Sequence, residues 1–448
     1  MDIDELRARV TAELPRIRQD LEDLVRIESV SADPARAAEV QRSAEAVAAL
    51  FSAEGFADVQ VVSARDDGRA PAVIARKPAP DGKPTVLLYA HHDVQPENDH
   101  AEWDSPPFEP TERDGRLYGR GAADDKAGIV AHLGAVRALG EDLGVGVTMF
   151  IEGEEEVGSD TLADLLAEHR ETLAADVIVI ADSGNWDIGV PALTTSLRGL
   201  VRVDVGVRTL THAVHSGMWG GLVPDALMTL TRLLTTLYDE DGSVAVAGLR
   251  TATAAEVDYP ADRLRAESGI APGVDFIGHG SVVERLWARP SLTITGLDAP
   301  KVDGASNTLT ATARAKLSLR IAPGDTTDNA LACLRAHLEQ HVPFGAELSF
   351  DLVDTGEATQ IDATGPAYDA ARTAFTDAWD GVEPIDMGVG GSIPFIAEFL
   401  ESFPEASVLV TGVEDPDTRA HGANEGLHLA EFERVCLAEA FLLSNLAD

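Results

Sequence analysis

Cysteine is nearly absent from this chain: Cys333 and Cys436 are the only two in 448 residues, and they stand far apart. That excludes a disulfide framework as the basis of the fold and points to a reducing, cytoplasmic setting. Positive charge is scarce too. The 35 Lys and Arg face 76 Asp and Glu, a formal net charge of −41. Nucleic acid and anionic membrane are therefore excluded as partners, since both need basic patches. No apolar run approaches the roughly 18 residues of a membrane-spanning helix. The first residues mix charged and apolar side chains without the apolar core of a signal peptide. Hydrophobic residues still make up 45% of the chain, enough for a large core. The length suggests two or three structural units.

Periodicity orders the chain into elements. Leu6, Val10, Leu14, Ile17, Leu21, Leu24 and Val25 recur at helical spacing and predict a helix over 4–28, and a second helix is expected over 35–54. Strands are expected near 57–63, 71–76, 84–90, 145–151 and 176–181, with helices over 126–139 and 159–172. Strand alternating with helix predicts an α/β, doubly wound, mainly parallel sheet. After about 193 the style changes. A strand over 200–207, a helix over 224–238, strands near 291–296 and 308–322, a helix over 326–341 and a strand over 346–353 spell β-α-β-β-α-β, a two-layer α+β unit. The α/β style returns beyond 360. The expected organisation is a first domain over 1–192 and 361–448, interrupted by an inserted domain over 193–360. The stretch 240–290 shows no clear pattern.

Potential metal ligands recur at the ends of the apolar strands. His91 and Asp93 end one strand, and positions i and i+2 of an extended chain share a side. Asp124 and Asp125 precede a helix, where either could cap its first turn, and Lys126 could steady a carboxylate there. Glu152, Glu154, Glu155 and Glu156 place four carboxylates in five residues directly after another strand. Such crowding needs solvent, a basic partner or a metal. Asp182 follows the next strand, and His421 lies in a loop after the strand at 407–411. Singly, each reads as a turn, a cap or a solvated charge. Jointly, two His and several acids at successive strand ends of one sheet suit a pair of divalent ions such as Zn²⁺, Mn²⁺ or Co²⁺.

The set His91-x-Asp93, Gly-Arg-Gly-x-x-Asp124-Asp-Lys, Glu-Gly-x-Glu155-Glu156-x-Gly-Ser, Asp182 and His421-x-x-Asn-Glu resembles the dinuclear zinc exopeptidases that include carnosinases, cytosolic nonspecific dipeptidases, aminoacylases and glutamate carboxypeptidases. The resemblance runs from about residue 85 to 425. It implies that His91 and Asp182 hold one ion, Glu156 and His421 the other, and that Asp124 bridges them. It further implies Glu155 as general base, Asp93 as the residue orienting His91, and a cis peptide bond between Asp124 and Asp125. His92 would point away by strand alternation. The inserted domain would be a lid that also dimerises. His215, in a His-Ser-Gly segment, would then reach the active site of the partner subunit in a homodimer. Asn307 would contact substrate, Arg320 would grip a substrate carboxylate, and the Gly-Gly-Ser-Ile-Pro loop with Gly391 and Ser392 would bind the C-terminal carboxylate. The implied reaction is hydrolysis of dipeptides or short peptides with a free carboxylate. A deacylase of N-acyl amino acids, and an inactive scaffold relative, are the alternatives.

Overall fold

The computed structural model describes residues 2–65, 70–391 and 394–447. The chain forms two compact units. One comprises Met1–Thr195, Ile361–Met387 and Pro394–Asp448, the other Ser196–Gln360 and Gly388–Ile393.

In the first unit four strands run parallel in the order Gly146–Glu152, Thr85–His91, Val177–Ile180 and Ser407–Val410. Their near-continuous apolar runs fit strands covered on both faces. All residues of Gly146–Glu152 and Val177–Ile180 are indeed buried. Ala57–Val62 and Ala72–Lys77 extend the sheet antiparallel past Gly146–Glu152. The helix Lys126–Leu139 packs on the strand Thr85–His91 and on the helices Ile3–Val25 and Leu429–Leu446. In the same strand, the Tyr89 ring meets Phe395 and Phe399 of the helix Pro394–Ser402 at 4.6 and 5.3 Å. The mainly parallel α/β architecture is the one expected from the sequence. Parallel register brings the C-terminal ends of all four strands to one edge, where ligands bind in open α/β sheets.

A small antiparallel sheet of Thr111–Arg113, Arg116–Tyr118 and Gly426–His428 was not legible in the sequence. Its strands are three residues each, too short to carry a period. It draws the segment after Ser407–Val410 back toward residues 116–124, and Arg116 seals the junction with a buried ion pair to Asp415 at 2.6 Å.

The second unit holds an antiparallel sheet in the order Ser291–Asp298, Thr312–Ile321, Gly199–Arg208 and Glu347–Gly356. Val201, Val203, Val205 and Val207 alternate inward and pack with Leu317, Leu319, Leu230, Leu233, Leu334 and Leu338 of the neighbouring strand and of the helices Ala226–Thr235 and Thr327–His341. The chain order of these elements is the expected β-α-β-β-α-β. Within 240–290 lie a helix, Ala261–Ser268, and a five-residue π-type turn, Glu284–Ala288. The helix expected over 159–172 is broken at His169 into Leu162–Glu168 and Arg170–Leu173. Among the described residues, no helix is long and apolar enough to cross a membrane.

Candidate metal centre

His91 ends its strand fully buried. Its Nε2 lies 3.1 Å from Asp124 Oδ1 and 4.0 Å from both Glu155 Oε2 and Asp182 Oδ2. The other oxygen of Asp124, Oδ2, lies 2.9 Å from His421 Nε2, which is in turn 3.3 Å from Glu156 Oε2. Two groups of potential ligands result: His91, Asp124 and Asp182, and Asp124, Glu156 and His421, with the ligand atoms of each group within 4.8 Å of one another. Asp124 belongs to both. The strand ends predicted to converge do converge.

The electrostatics of this arrangement call for cations. Burial and the charge of Asp124 push Glu156 up to about 9. Glu155 is raised well above the usual carboxylate range, by burial first and by Asp182 next. Burial lifts Asp182 to about 6, against the pull of His91. Asp124 is held low, because hydrogen bonds from His421 and His91 outweigh its burial. Two imidazoles and several carboxylates with overlapping reach form a nitrogen–oxygen donor set suited to two divalent ions. Cations there would relieve the repulsion that otherwise keeps protons on the acids.

The supports are specific. Asp93 is fully buried. Its carboxylate accepts the backbone N–H groups of Glu155 at 3.2 Å and Glu156 at 3.1 Å. Its Oδ1 lies 3.5 Å from His91 Nδ1, whose nearer partner is the Asp93 carbonyl at 3.0 Å. One residue thus braces both the imidazole and the two glutamates. Gln95 grips Glu156: its N–H donates to Oε1 at 3.0 Å and its Nε2 to Oε2 at 2.7 Å. The Asp124–Asp125 peptide bond is cis. Asp125 makes no cap on the following helix. It accepts the His91 N–H at 3.2 Å instead, and Gly128 leaves it room, since a Cβ there would sit 2.4 Å from Asp125 Oδ1.

Glu425 is the support that carried no role in the sequence. Fully buried, it accepts from Arg120 Nη1 at 2.6 Å, Gly121 N at 3.1 Å, Ala123 N at 3.0 Å and Asp124 N at 3.1 Å. The signal was its place in His-x-x-Asn-Glu, but nothing local reveals that its partners lie three hundred positions earlier.

Lys126 does not steady a carboxylate, contrary to the expectation. Its Nζ donates to the carbonyls of Leu24 at 2.9 Å and Ile27 at 2.8 Å, at the end of the first helix. The same carbonyls also accept the backbone N–H groups of Ile27 and Ser29, so Lys126 fastens the turn that follows the first helix, and burial lowers the amine to about 7. His92 is turned away from the centre, with Nε2 2.7 Å from the Pro71 carbonyl. Glu152 is buried and accepts the Tyr89 hydroxyl at 2.7 Å. Glu154, also buried, pairs with Arg65 at 2.9 Å and caps Thr161 N at 2.6 Å.

The second unit carries the remaining candidates. His215 and Asn307 are exposed neighbours: His215 pairs with Thr308, and Ser216 N donates to Asn307 O at 2.9 Å. His215 Nδ1 accepts the Gly217 N–H at 3.0 Å, which leaves the ring proton on Nε2. Arg320 lies near the end of Thr312–Ile321. Gly391 follows Gly390 within this unit, and Ser392 lies outside the described residues.

A sheet edge carrying two ligand groups that share one carboxylate defines the class of two-metal hydrolases. The sequence matches Peptidase family M20/M25/M40 over residues 87–444, and the chain belongs to that family. It is a metal-dependent peptidase of the dipeptidase branch. The chain is 35% identical over 444 residues to a cysteinylglycine-S-conjugate dipeptidase of Corynebacterium striatum, covering 97% of this chain and 96% of that protein. It is 28% identical over 464 residues to a Cys-Gly metallodipeptidase of Schizosaccharomyces pombe, covering 96% of each. The structure of human carnosine dipeptidase 1 superposes with a TM-score of 0.77 at 27% identity, covering 99% of this chain and 98% of that one. These relatives do not favour the deacylase alternative.

Proposed function

We propose that the centre hydrolyses the amide bond of dipeptides that bear a free C-terminal carboxylate. The observation that carries this reading is Asp124, whose two oxygens face His91 and His421 separately within a dipeptidase-family chain. His91 and Asp182 are assigned to one divalent ion, Glu156 and His421 to the other, and Asp124 to both. Zinc is the occupant the mixed imidazole and carboxylate donors suit best, with manganese or cobalt as substitutes. Bound ions would polarise the scissile carbonyl and acidify the attacking water.

The chain's own residues do the rest. Glu155 accepts a proton from the attacking water as its oxygen bonds to the carbonyl carbon. When the carbon–nitrogen bond breaks, Glu155 returns that proton to the departing amine. Asp93 holds His91 and the Glu155–Glu156 turn in register. His215, contributed by a second copy of the chain in a homodimer, donates its Nε2 proton toward the oxygen that gains negative charge. The Gly217 N–H on Nδ1 supports that tautomer. Asn307, Arg320, Gly391 and Ser392 are assigned to the substrate, and the unpaired cysteines support a cytoplasmic setting. Steady-state kinetics on a dipeptide panel beside N-acyl amino acids tests the assignment. Preference for the acyl compounds would overturn it.

A further inference from the structure

We infer that Glu414 receives the α-ammonium group of the substrate, so that the centre selects peptides with a free amino terminus. This deepens the proposed function and rests on it.

Glu414 lies in the segment that follows the strand Ser407–Val410. The parallel register that sets Val410 opposite Ile180 continues past both strands and sets Glu414 opposite Gly184, two residues after Asp182. Thr411 N donates to Ile180 O and Asn185 N to Glu414 O, both at 2.8 Å, so the two segments are fastened along their length. A Cβ at Gly184 would lie 3.2 Å from Glu414 Cβ, and one at Gly412 would fall 1.6 Å from Ser183 O. Glycine at both positions permits this close approach. Glu414 is thus held beside a metal ligand, yet it belongs to neither ligand group.

Its carboxylate is half-buried and has no hydrogen-bond donor or cation among the described residues. Its acidic neighbours are provided for: Asp415 has Arg116 and Glu425 has Arg120, each at 2.6 Å. Burial first, then the charges of Asp124 and Asp182, raise Glu414 well above the usual carboxylate range. A cation brought by a ligand would offset all three influences.

The chemistry of a dipeptide says which cation. Its amino nitrogen is bonded to the carbon next to the scissile carbonyl, about 2.5 Å from the carbonyl carbon by standard bond lengths. A carbonyl seated against the ions therefore brings the ammonium to the rim of their ligand set, where two divalent cations repel it. A carboxylate beside the ligands but outside their coordination counters that repulsion and accepts a charge-assisted hydrogen bond. An N-acyl amino acid carries no such charge, so the same residue sets peptides apart from acyl compounds.

The experiment compares Ala-Gly with N-propionylglycine, which differs only in lacking the ammonium, on metal-loaded wild-type, E414Q and E414D enzyme. The KM of Ala-Gly and the inhibition constant of N-propionylglycine against its hydrolysis are measured, with bound metal assayed in each protein. In E414Q the KM is expected to rise about tenfold or more, the worth of one charge-assisted hydrogen bond. The inhibition constant and the metal content should not move. E414D keeps the charge on a shorter arm and should recover part of the preference for Ala-Gly. If E414Q loses its native circular dichroism, E414D alone decides, by a rise in KM confined to Ala-Gly. Equal losses on both compounds, an unchanged preference, or loss of metal would overturn the ammonium subsite while leaving dipeptide hydrolysis standing. Wild-type enzyme that cleaves no dipeptide would instead overturn the functional reading beneath it.

Discussion

The carboxylate of Glu425 accepts the backbone N–H of Asp124 at 3.1 Å, so a residue four places after His421 fixes the loop that presents the shared ligand of both groups. Its two oxygens answer four donors and leave no place for a fifth hydrogen. Glu425→Gln would turn an amide NH₂ toward Arg120 or the N–H groups of Ala123 and Asp124. Affinity for both ions is expected to fall about 10- to 100-fold, as for other residues that orient ligands. Competition with a chelating dye measures this. Unchanged affinity in folded protein would mean the loop is held by other contacts.

Glu155 lies within 4.0 Å of His91 Nε2 but is assigned no ion. Glu155→Gln should lower kcat by about 10²- to 10⁴-fold, the usual reach of general-base catalysis, with the bound metal content unchanged. Activity surviving that substitution would remove Glu155 from the proton path.

Stripping the ions with a chelator should abolish hydrolysis, and zinc, manganese or cobalt should restore it. Because ions bind the folded centre and not the unfolded chain, the metal-free protein should also melt at lower temperature. Full turnover by protein shown to be metal-free would end the two-metal account.

Glu152 offers a test by pH. Burial above all raises it from 4.5 to about 8. The folded chain therefore keeps a proton that the unfolded chain releases once pH passes 4.5. Stability drops by about 1.4 kcal/mol for each pH unit between those two values. The cost is absent below the lower value and complete above the upper one. Glu152→Gln escapes it, so the variant should gain on the wild type as pH rises from about 5 to about 8. Urea titrations at a series of pH values give the difference, and a margin independent of pH would contradict the assignment.

The convergence of candidate ligands was legible because His91, the Glu155–Glu156 pair and Asp182 each follow an apolar strand, and parallel strands deliver their ends to one edge. Strand and helix order was legible for the same reason, since long runs such as Val145–Ile151 and the alternation at Val201–Val207 are unambiguous. What escaped were features made by distant pairing. The three-residue strand Gly426–His428 has no period of its own. Lys126 reads locally as a cation beside two acids, yet tertiary packing sends it to the end of another helix.

The Arg120–Glu425 pair spans 305 positions. A chain emerging from the ribosome presents His91, Asp124, Glu155, Glu156 and Asp182 long before His421 and Glu425 exist to complete them. Synthesis therefore withholds those two residues until position 425 has been made. Such long-range closure belongs to slow-folding topologies.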